Sequence, residues 1–453
     1  MMRNWVRVAG LAALLVASPA VAQSQGQPQP GPTPTTDSLT YIVRRGDTLI
    51  DLATDYLNRP ADYHRVQRDN RVADPRRLAI GRTLIIPFSL LRADRDYARV
   101  ASFRGAVTLS QGGAAGLPAP GQTVSEGTVL STGPNAFVRL ALSDGSHIVI
   151  PSNSRVRLSR LRRYALNGAV DHAMTVESGR AESSVTPRRR PGGFVVSTPV
   201  SVSAVRGTEF RVTFNDDTDR AATEVIEGVV NVASGDGSDE TVAHASEGVA
   251  ITVDALHLAP LLAAPELTDP AQVHSERDVR LLVAALPGAQ RYRGRLATDA
   301  GMIEAFAETD SAPGDNALAF LDLDDGAYFV RLTALSDNEI EGRAATYSFI
   351  RARNGVGGLT SILVPGDRFR LYRFRWEAEG GGAATFRFQL SRQGQDGAPE
   401  GPPLIDQPGL TDQAFTLTDL PPGVYTWRVQ GARDRFGHLL QTWSEPQQLR
   451  IGR

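Results

Sequence analysis

Between residues 100 and 253 apolar positions recur at every second residue, in short runs cut off by Gly, Asn, Asp and Pro. A period of two is the spacing of side chains on one face of a strand, and no helical periodicity replaces it over this stretch. Phe137-Val138-Arg139-Leu140-Ala141-Leu142 leads into Ser143-Asp144-Gly145, a hairpin signal, and then into His147-Ile148-Val149-Ile150. The runs at 195–197, 209–214 and 224–226 alternate in the same way. Such patterning commits the middle of the chain to a β-sandwich or a stacked β-coil. At 453 residues the chain is too long for one ordinary domain and divides into three or four. Its 41% hydrophobic content can build a core in each and excludes wholesale disorder.

Composition removes several chemistries. Cysteine is absent, which excludes disulfides, Cys-ligated zinc, thiol nucleophiles and an acylated-Cys lipid anchor. All 48 basic residues are Arg, so neither a Walker-type phosphate loop nor a Schiff base is available. The formal charge of −2 gives no overall pull toward nucleic acid, and no nucleic-acid partner is expected. His64, His147, His172, His244, His257, His274 and His438 include no pair at the spacing of a helical zinc site. Ser146 and His147 are adjacent on an alternating strand, so they face opposite sides and cannot serve as nucleophile and base. Asn215-Asp216-Asp217-Thr218-Asp219 and Asp236-Gly237-Ser238-Asp239-Glu240 offer closely spaced oxygen ligands for Ca²⁺. Both lack the full loop pattern with its closing bidentate Glu, and they read as polar hairpin tips. No catalytic residue, metal site or cofactor is expected, and the chain reads as non-enzymatic.

Residues 1–22 carry Arg3 and Arg7, an apolar run from 8 to 16, and Pro19-Ala20-Val21-Ala22 before Gln23, the layout of a secretory signal peptide. The run falls short of the roughly 20 residues that span a bilayer. An uncleaved N-terminal anchor is the alternative. No second apolar stretch of that length follows, so no stable membrane span is expected after cleavage, and the disulfide-free chain is placed in the periplasm or cell envelope. Residues 23–39, rich in Gln, Pro, Gly, Ser and Thr, cannot offset their ordering entropy and read as a disordered linker.

The next segment reads β-α-α-β. Tyr41-Ile42-Val43 is β-prone, and Asp47 or Thr48 can cap a helix whose Leu49, Leu52, Ala53 and Tyr56 share one face. A second helix begins near Ala61 or Asp62 and ends around Asn70, and Thr83-Leu84-Ile85-Ile86-Pro87 is a closing strand. Tyr41-x-Val43, Gly46-Asp47-Thr48-Leu49, Ala53, Tyr56, Asn70, Leu78-x-Ile80-Gly81 and Leu84-x-Ile86-Pro87 resemble the LysM family, over 40–88. The resemblance implies two helices on a two-stranded sheet and a shallow groove for N-acetylglucosamine-containing glycan, with peptidoglycan as the partner. Its binding loops would be Gly46, Asp47, Thr48 and Leu49 after the first strand, and Arg71, Val72, Ala73 and Asp74 after the second helix. Backbone groups would bond the acetamide, while the Leu49 and Val72 side chains would meet the sugar's nonpolar face. Residues 41–88 hold 9 Arg and 6 Asp, a net +3 that favours a polymer bearing carboxylates. The alternative reads Asp47 and Thr48 as a helix cap alone and the arginines as a solvated face; a cap and a ligand loop can coincide, and the loops offer no aromatic ring for stacking.

Residues 98–254 resemble a FecR-type domain. The resemblance rests on Gly105-Ala106-Val107, the run Gly127-Thr128-Val129-Leu130-Ser131-Thr132-Gly133, Asp144-Gly145-Ser146 and Val176-Glu177-Ser178-Gly179-Arg180-Ala181. Ser197-Thr198-Pro199, Val205-Arg206-Gly207-Thr208-Glu209-Phe210 and Glu227-Gly228-Val229-Val230-Asn231-Val232 continue it. It implies a periplasmic, mainly-β domain that in its namesake subgroup relays a signal to a sigma factor through a cytoplasmic tail and one span. Here a signal peptide and the LysM-like segment stand in that place. Gly145, Gly179 and Gly207 read as positive-φ turn positions, Arg206 as a buried structural cation, and Arg188-Arg189-Arg190 as an exposed loop tip.

Two further units follow, at 265–352 and 357–451. Leu323-Asp324-Asp325-Gly326-Ala327-Tyr328-Phe329-Val330-Arg331-Leu332 aligns with Leu420-Pro421-Pro422-Gly423-Val424-Tyr425-Thr426-Trp427-Arg428-Val429, 97 residues on (423 − 326). Tyr328, Val330 and Leu332 point one way, as do Tyr425, Trp427 and Val429, with Arg331 and Arg428 outward. With Phe320, Leu417 and the closing Trp443-Ser444-x-Pro446, both resemble fibronectin type III or immunoglobulin-like sandwiches, the first more divergent. The fold class is thus multidomain, a small α+β module followed by mainly-β domains. The leading functional expectation is a non-catalytic, periplasmic peptidoglycan-binding protein whose β-domains act as scaffold or docking units for envelope proteins. The alternatives are a FecR-type envelope regulator and a wall hydrolase or its activator.

Overall fold

The computed structural model describes residues 38–452 other than 188–192, 206, 253–254, 271–272, 365–368 and 395–397. The expected signal peptide, nearly all of the linker, the Arg188-Arg189-Arg190 tip and Arg206 lie outside the described residues. Those described form one small α+β unit followed by mainly-β units, the multidomain class that the patterning indicates.

The first unit is β1 (Ser38–Ile42), α1 (Leu49–Tyr56), α2 (Tyr63–Asp69) and β2 (Thr83–Pro87). β1 and β2 pair antiparallel from Ser38↔Pro87 to Ile42↔Thr83. Ser38 and Leu39, which composition assigns to the linker, thus belong to the sheet. The reason is Leu39, whose side chain is fully buried in the core with Tyr41, Leu49, Leu52, Val66 and Ile86. Of the two cap candidates Thr48 serves, its Oγ1 accepting the Asp51 N–H at 3.0 Å. The far end of α1 is fixed to the next unit. Phe88 stacks on Tyr164 at 4.6 Å, the Arg92 N–H donates to the Tyr56 carbonyl at 2.7 Å, and Tyr164, Leu166 and Ala169 enter the same apolar cluster.

In the second unit, strands from Ala93–Arg95 to Leu256–Pro260 build two sheets that share one long strand, Val170–Ser184. Its first part pairs with Ser154–Tyr164 and Gly193–Ser197, its second with Glu209–Asn215. The changeover falls at Gly179, where φ is +75°. Apolar side chains from the two sheets close on each other, as Phe194 does edge-on to Phe210 at 6.1 Å. Phe137–Leu142 and His147–Ile150 are the hairpin that alternation and the Ser-Asp-Gly turn mark out. Gly145 and Gly207 have the expected positive φ.

The third and fourth units are sandwiches. A five-stranded sheet centred on Gly326–Leu335 faces the pair Val279–Leu282 with Ala317–Phe320. Gly355–Val364, Leu371–Glu379 and Ala414–Thr418 face a sheet built round Gly423–Arg435. The sequence repeat has a physical counterpart: the Tyr328 hydroxyl donates to the Asp324 carbonyl at 3.0 Å and Tyr425 to that of Pro421 at 2.7 Å. Tyr328, Val330, Leu332, Tyr425, Trp427 and Val429 are all buried, as their alternation requires.

A buried charge network joins the second unit to the third. Arg180 and Arg211 reach across to Glu341, each at 3.3 Å, and Arg180 also pairs with Glu308. From the other side Arg295 meets Glu182 at 2.6 Å, while Arg293 holds Asp310 at 2.7 Å and Glu341 at 2.9 Å. Glu224 accepts the Glu341 backbone N–H at 3.0 Å and is fully buried. Its burial pushes the carboxyl up to about 7, against the pull of Arg211 and with a further push from Glu341. An acid whose folded value is raised stabilises the fold at low pH and loses that contribution as pH climbs through 7. Glu224→Gln, which preserves the acceptor, should change Tm little near pH 4.5 and raise it at pH 8, measured by calorimetry at both.

Candidate functional site

The α1 N-terminal end carries two loops. In the first, Gly46 turns at φ +95° and the Asp47 carboxylate accepts both the Tyr41 hydroxyl and the Arg44 N–H at 2.7 Å. Asp47 therefore folds its own loop back onto β1. Burial, with help from Asp47, pushes the Tyr41 phenol up to about 12, so it remains a hydrogen-bond donor at neutral pH. In the second loop Arg71 adopts φ +52° just past α2, and Gln67 Nε2 donates to the Val72 carbonyl at 3.1 Å. Asp74 Oδ1 accepts the Arg76 N–H at 2.9 Å, a local turn. The loops are joined by the Leu49 N–H donating to the Pro75 carbonyl at 2.8 Å.

Gly46, Arg71, Ala73 and Asp74 are exposed here, and Asp47 and Thr48 half-buried. Leu49 and Val72 differ from expectation. Their side chains are only 1% and 5% exposed and belong to the module's core, and their N–H groups already donate to the Pro75 and Gln67 carbonyls. The apolar spacing that puts Leu49 on the buried face of α1 is the physical reason. What remains for a polar ligand is main-chain donors and acceptors with Arg44, Arg45, Arg71, Arg76 and Arg77 exposed around them.

Supporting residues emerge that the motif alone does not rank. Asn70 exchanges two bonds with the Ile85 backbone, at 2.6 and 2.7 Å, and Arg82 donates to the Asn70 and Arg71 carbonyls at 2.6 and 3.1 Å. They anchor the second loop to β2. Asn70 stands among the motif positions, whereas only the fold brings Arg82 to this loop. Elsewhere, the two acidic runs cap hairpins, between Glu209–Asn215 and Arg220–Glu227 and between Val229–Ser234 and Glu240–His244. Ser146 is buried, its hydroxyl donating to Asp144 at 2.8 Å. Among the described residues no group of three or more His, Asp or Glu could hold a metal ion, and no helix is long and apolar enough to cross a membrane.

Comparison with known proteins adds two domain assignments. The LysM domain family matches residues 41–87, and the FecR protein family matches 128–231. The chain carries a domain of each kind, and both kinds are non-catalytic and typical of envelope proteins. No curated protein matches the chain. Among solved structures, a putative anti-sigma factor from Parabacteroides distasonis is 16% identical at a TM-score of 0.25, covering 29% of this chain. The chain spans 59% of that protein's length. The chicken CNTN1 FN1-FN3 domains are 10% identical at a TM-score of 0.22, with 56% of this chain and 94% of theirs covered.

Proposed function

We propose that this is a non-catalytic, glycan-binding protein of the bacterial periplasm, in which the loops at 46–49 and 71–74 take an N-acetylglucosamine-containing stretch of peptidoglycan. The β-units behind it serve as scaffold or docking surfaces for envelope partners. The observation that carries this reading is the bond from Leu49 N–H to the Pro75 carbonyl. It closes the two loops into one cleft at one end of α1, while the other end of α1 is fixed to the second unit through Phe88 and Tyr164. The match to the LysM domain family covers the same residues. Amides and carbonyls at the loop edges suit an acetamide, and the arginines suit a carboxylate-bearing polymer in a salt-dependent way.

Ala73 is exposed at the cleft and makes no side-chain bond, so Ala73→Trp obstructs the cleft without touching the core. Its expected effect is an unchanged Tm and cosedimentation with purified sacculi reduced by about tenfold, the equivalent of one or two good hydrogen bonds. Equal recovery of the variant and the parent protein would remove the assignment of binding to this cleft. A second reading, an envelope signalling role, is favoured by the FecR match over 128–231. It predicts an envelope receptor or regulator as partner, and crosslinking that finds neither would exclude it.

A further inference from the structure

Beside the charge network, the second and third units enclose a cavity of about 610 Å³. That is the size of an ordinary small-molecule site. Its walls carry more positive charge than the protein neutralises. Arg139 and His147 come from the second unit, on the adjacent strands Phe137–Leu142 and His147–Ile150. Arg139 pairs in register with Val149, so it and His147 stand on one face as diagonal neighbours. Arg331 and Arg343 come from the third unit.

Arg331 lies directly opposite Arg295 on neighbouring antiparallel strands. Like charges so placed repel. Arg295 is neutralised by Glu182 and Glu308 at 2.6 and 3.0 Å. Arg331 is left without an ion pair among the described residues, as are Arg139 and Arg343. The acids that line the same cavity do not fill the gap. Glu182 and Glu341 are held by Arg295 and by Arg180, Arg211 and Arg293, which leaves Glu209 against three arginines. Burial already pulls the Arg331 guanidinium down from its usual range. His147 adds a buried Nδ1 with no hydrogen-bond partner, and burial together with Arg139 holds its imidazole below the ordinary value, hence neutral at pH 7.

We propose that this cavity is a binding site for a small organic anion carrying two or more carboxylate or phosphate groups. Arg139, Arg331 and Arg343 receive the anionic groups, and His147 lines the same wall. Guanidinium forks match carboxylate and phosphate oxygens in pairs, and a partly desolvated arginine gains most from such a partner. Because both units supply the walls, the bound anion ties them together. The site is separate from the glycan cleft and stands or falls independently of it.

The test is calorimetric titration and thermal shift on the full mature chain at low ionic strength, with citrate and inorganic pyrophosphate as probes and acetate as the monoanionic control. The expected result is a saturable rise in Tm with citrate, pyrophosphate or both, and none with acetate at equal ionic strength. The stronger of the two probes says whether carboxylate or phosphate is preferred. Arg331→Gln should weaken that binding by about tenfold or more, the loss of a charge-assisted pair. Without ligand the same variant should be at least as stable as the parent, because a half-buried unpaired cation set against Arg295 is removed. The exposed Arg343→Gln provides a second variant that cannot disturb the core, and it too should weaken binding. Absence of any saturable effect with both probes, or an affinity in both variants equal to that of the parent, would overturn the proposal.

Discussion

Gly179→Ala should destabilise the second unit by about 3 kcal/mol, the sum of left-handed backbone strain and overpacking. Gly179 has φ +75°, and a β-carbon there would lie 2.4 Å from the Asn153 carbonyl oxygen and 2.6 Å from the Ser154 Cα. Both contacts are backbone, so neither can swing aside. The site is also where strand Val170–Ser184 leaves one sheet and enters the other, and any shift spreads to the Ser154–Tyr164 and Glu209–Asn215 pairings. Gly127→Ala is the matched comparison. It has φ +89° with nothing near its would-be β-carbon, so only the backbone term of about 1–2 kcal/mol applies. Urea unfolding of the two variants, followed by far-UV circular dichroism, should show the Gly179 midpoint clearly lower. Equal midpoints would mean that the crossing tolerates a side chain and the two-sheet description is wrong there.

Glu341→Ala should cost about 3–5 kcal/mol, the usual result of stripping one partner from a buried ion network. Glu341 is 4% exposed and binds Arg180, Arg211 and Arg293, with the Thr333 hydroxyl donating to it at 2.9 Å. The arginines it serves lie on both sides of the joint, so the loss falls on the coupling between units as well as on each one. Opposing charges hold its carboxyl well below the usual carboxylate range despite burial, so the full effect is present at neutral pH and shrinks only in strong acid. Calorimetry is expected to split one transition into two. By contrast, Arg155→Ala removes a pair with Glu177 whose side chains are 50% and 25% exposed, and should cost about 0–1 kcal/mol. If Glu341→Ala behaves like Arg155→Ala, the joint between the second and third units is not held by these charges.

The contrast marks which features the sequence makes legible. The hairpin of Phe137–Leu142 and His147–Ile150 is readable because alternation and turn chemistry act over ten or so neighbouring residues. The two tyrosines are readable because a repeat places Tyr328 and Tyr425 in the same local context. The loops at 46–49 and 71–74 are readable as loops, from a motif. Which way Leu49 and Val72 point is a matter of how α1 and the second loop pack, and there the surface reading gave way to core burial. Partners such as Arg180 and Glu341 are 161 residues apart, and nothing local to either signals the other. Arg331 is correctly outward from its own sandwich by alternation. Only the neighbouring unit turns that outward face into a cavity wall.

Hydrogen–deuterium exchange on the full mature chain, with and without an excess of N-acetylglucosamine tetramer, tests the proposed glycan binding most directly. The account predicts new protection confined to the amides of residues 46–48 and 71–74, with none in the β-units. Protection absent from both loops at saturating sugar and at the affinity of sacculus binding, or appearing only in the β-units, would contradict it.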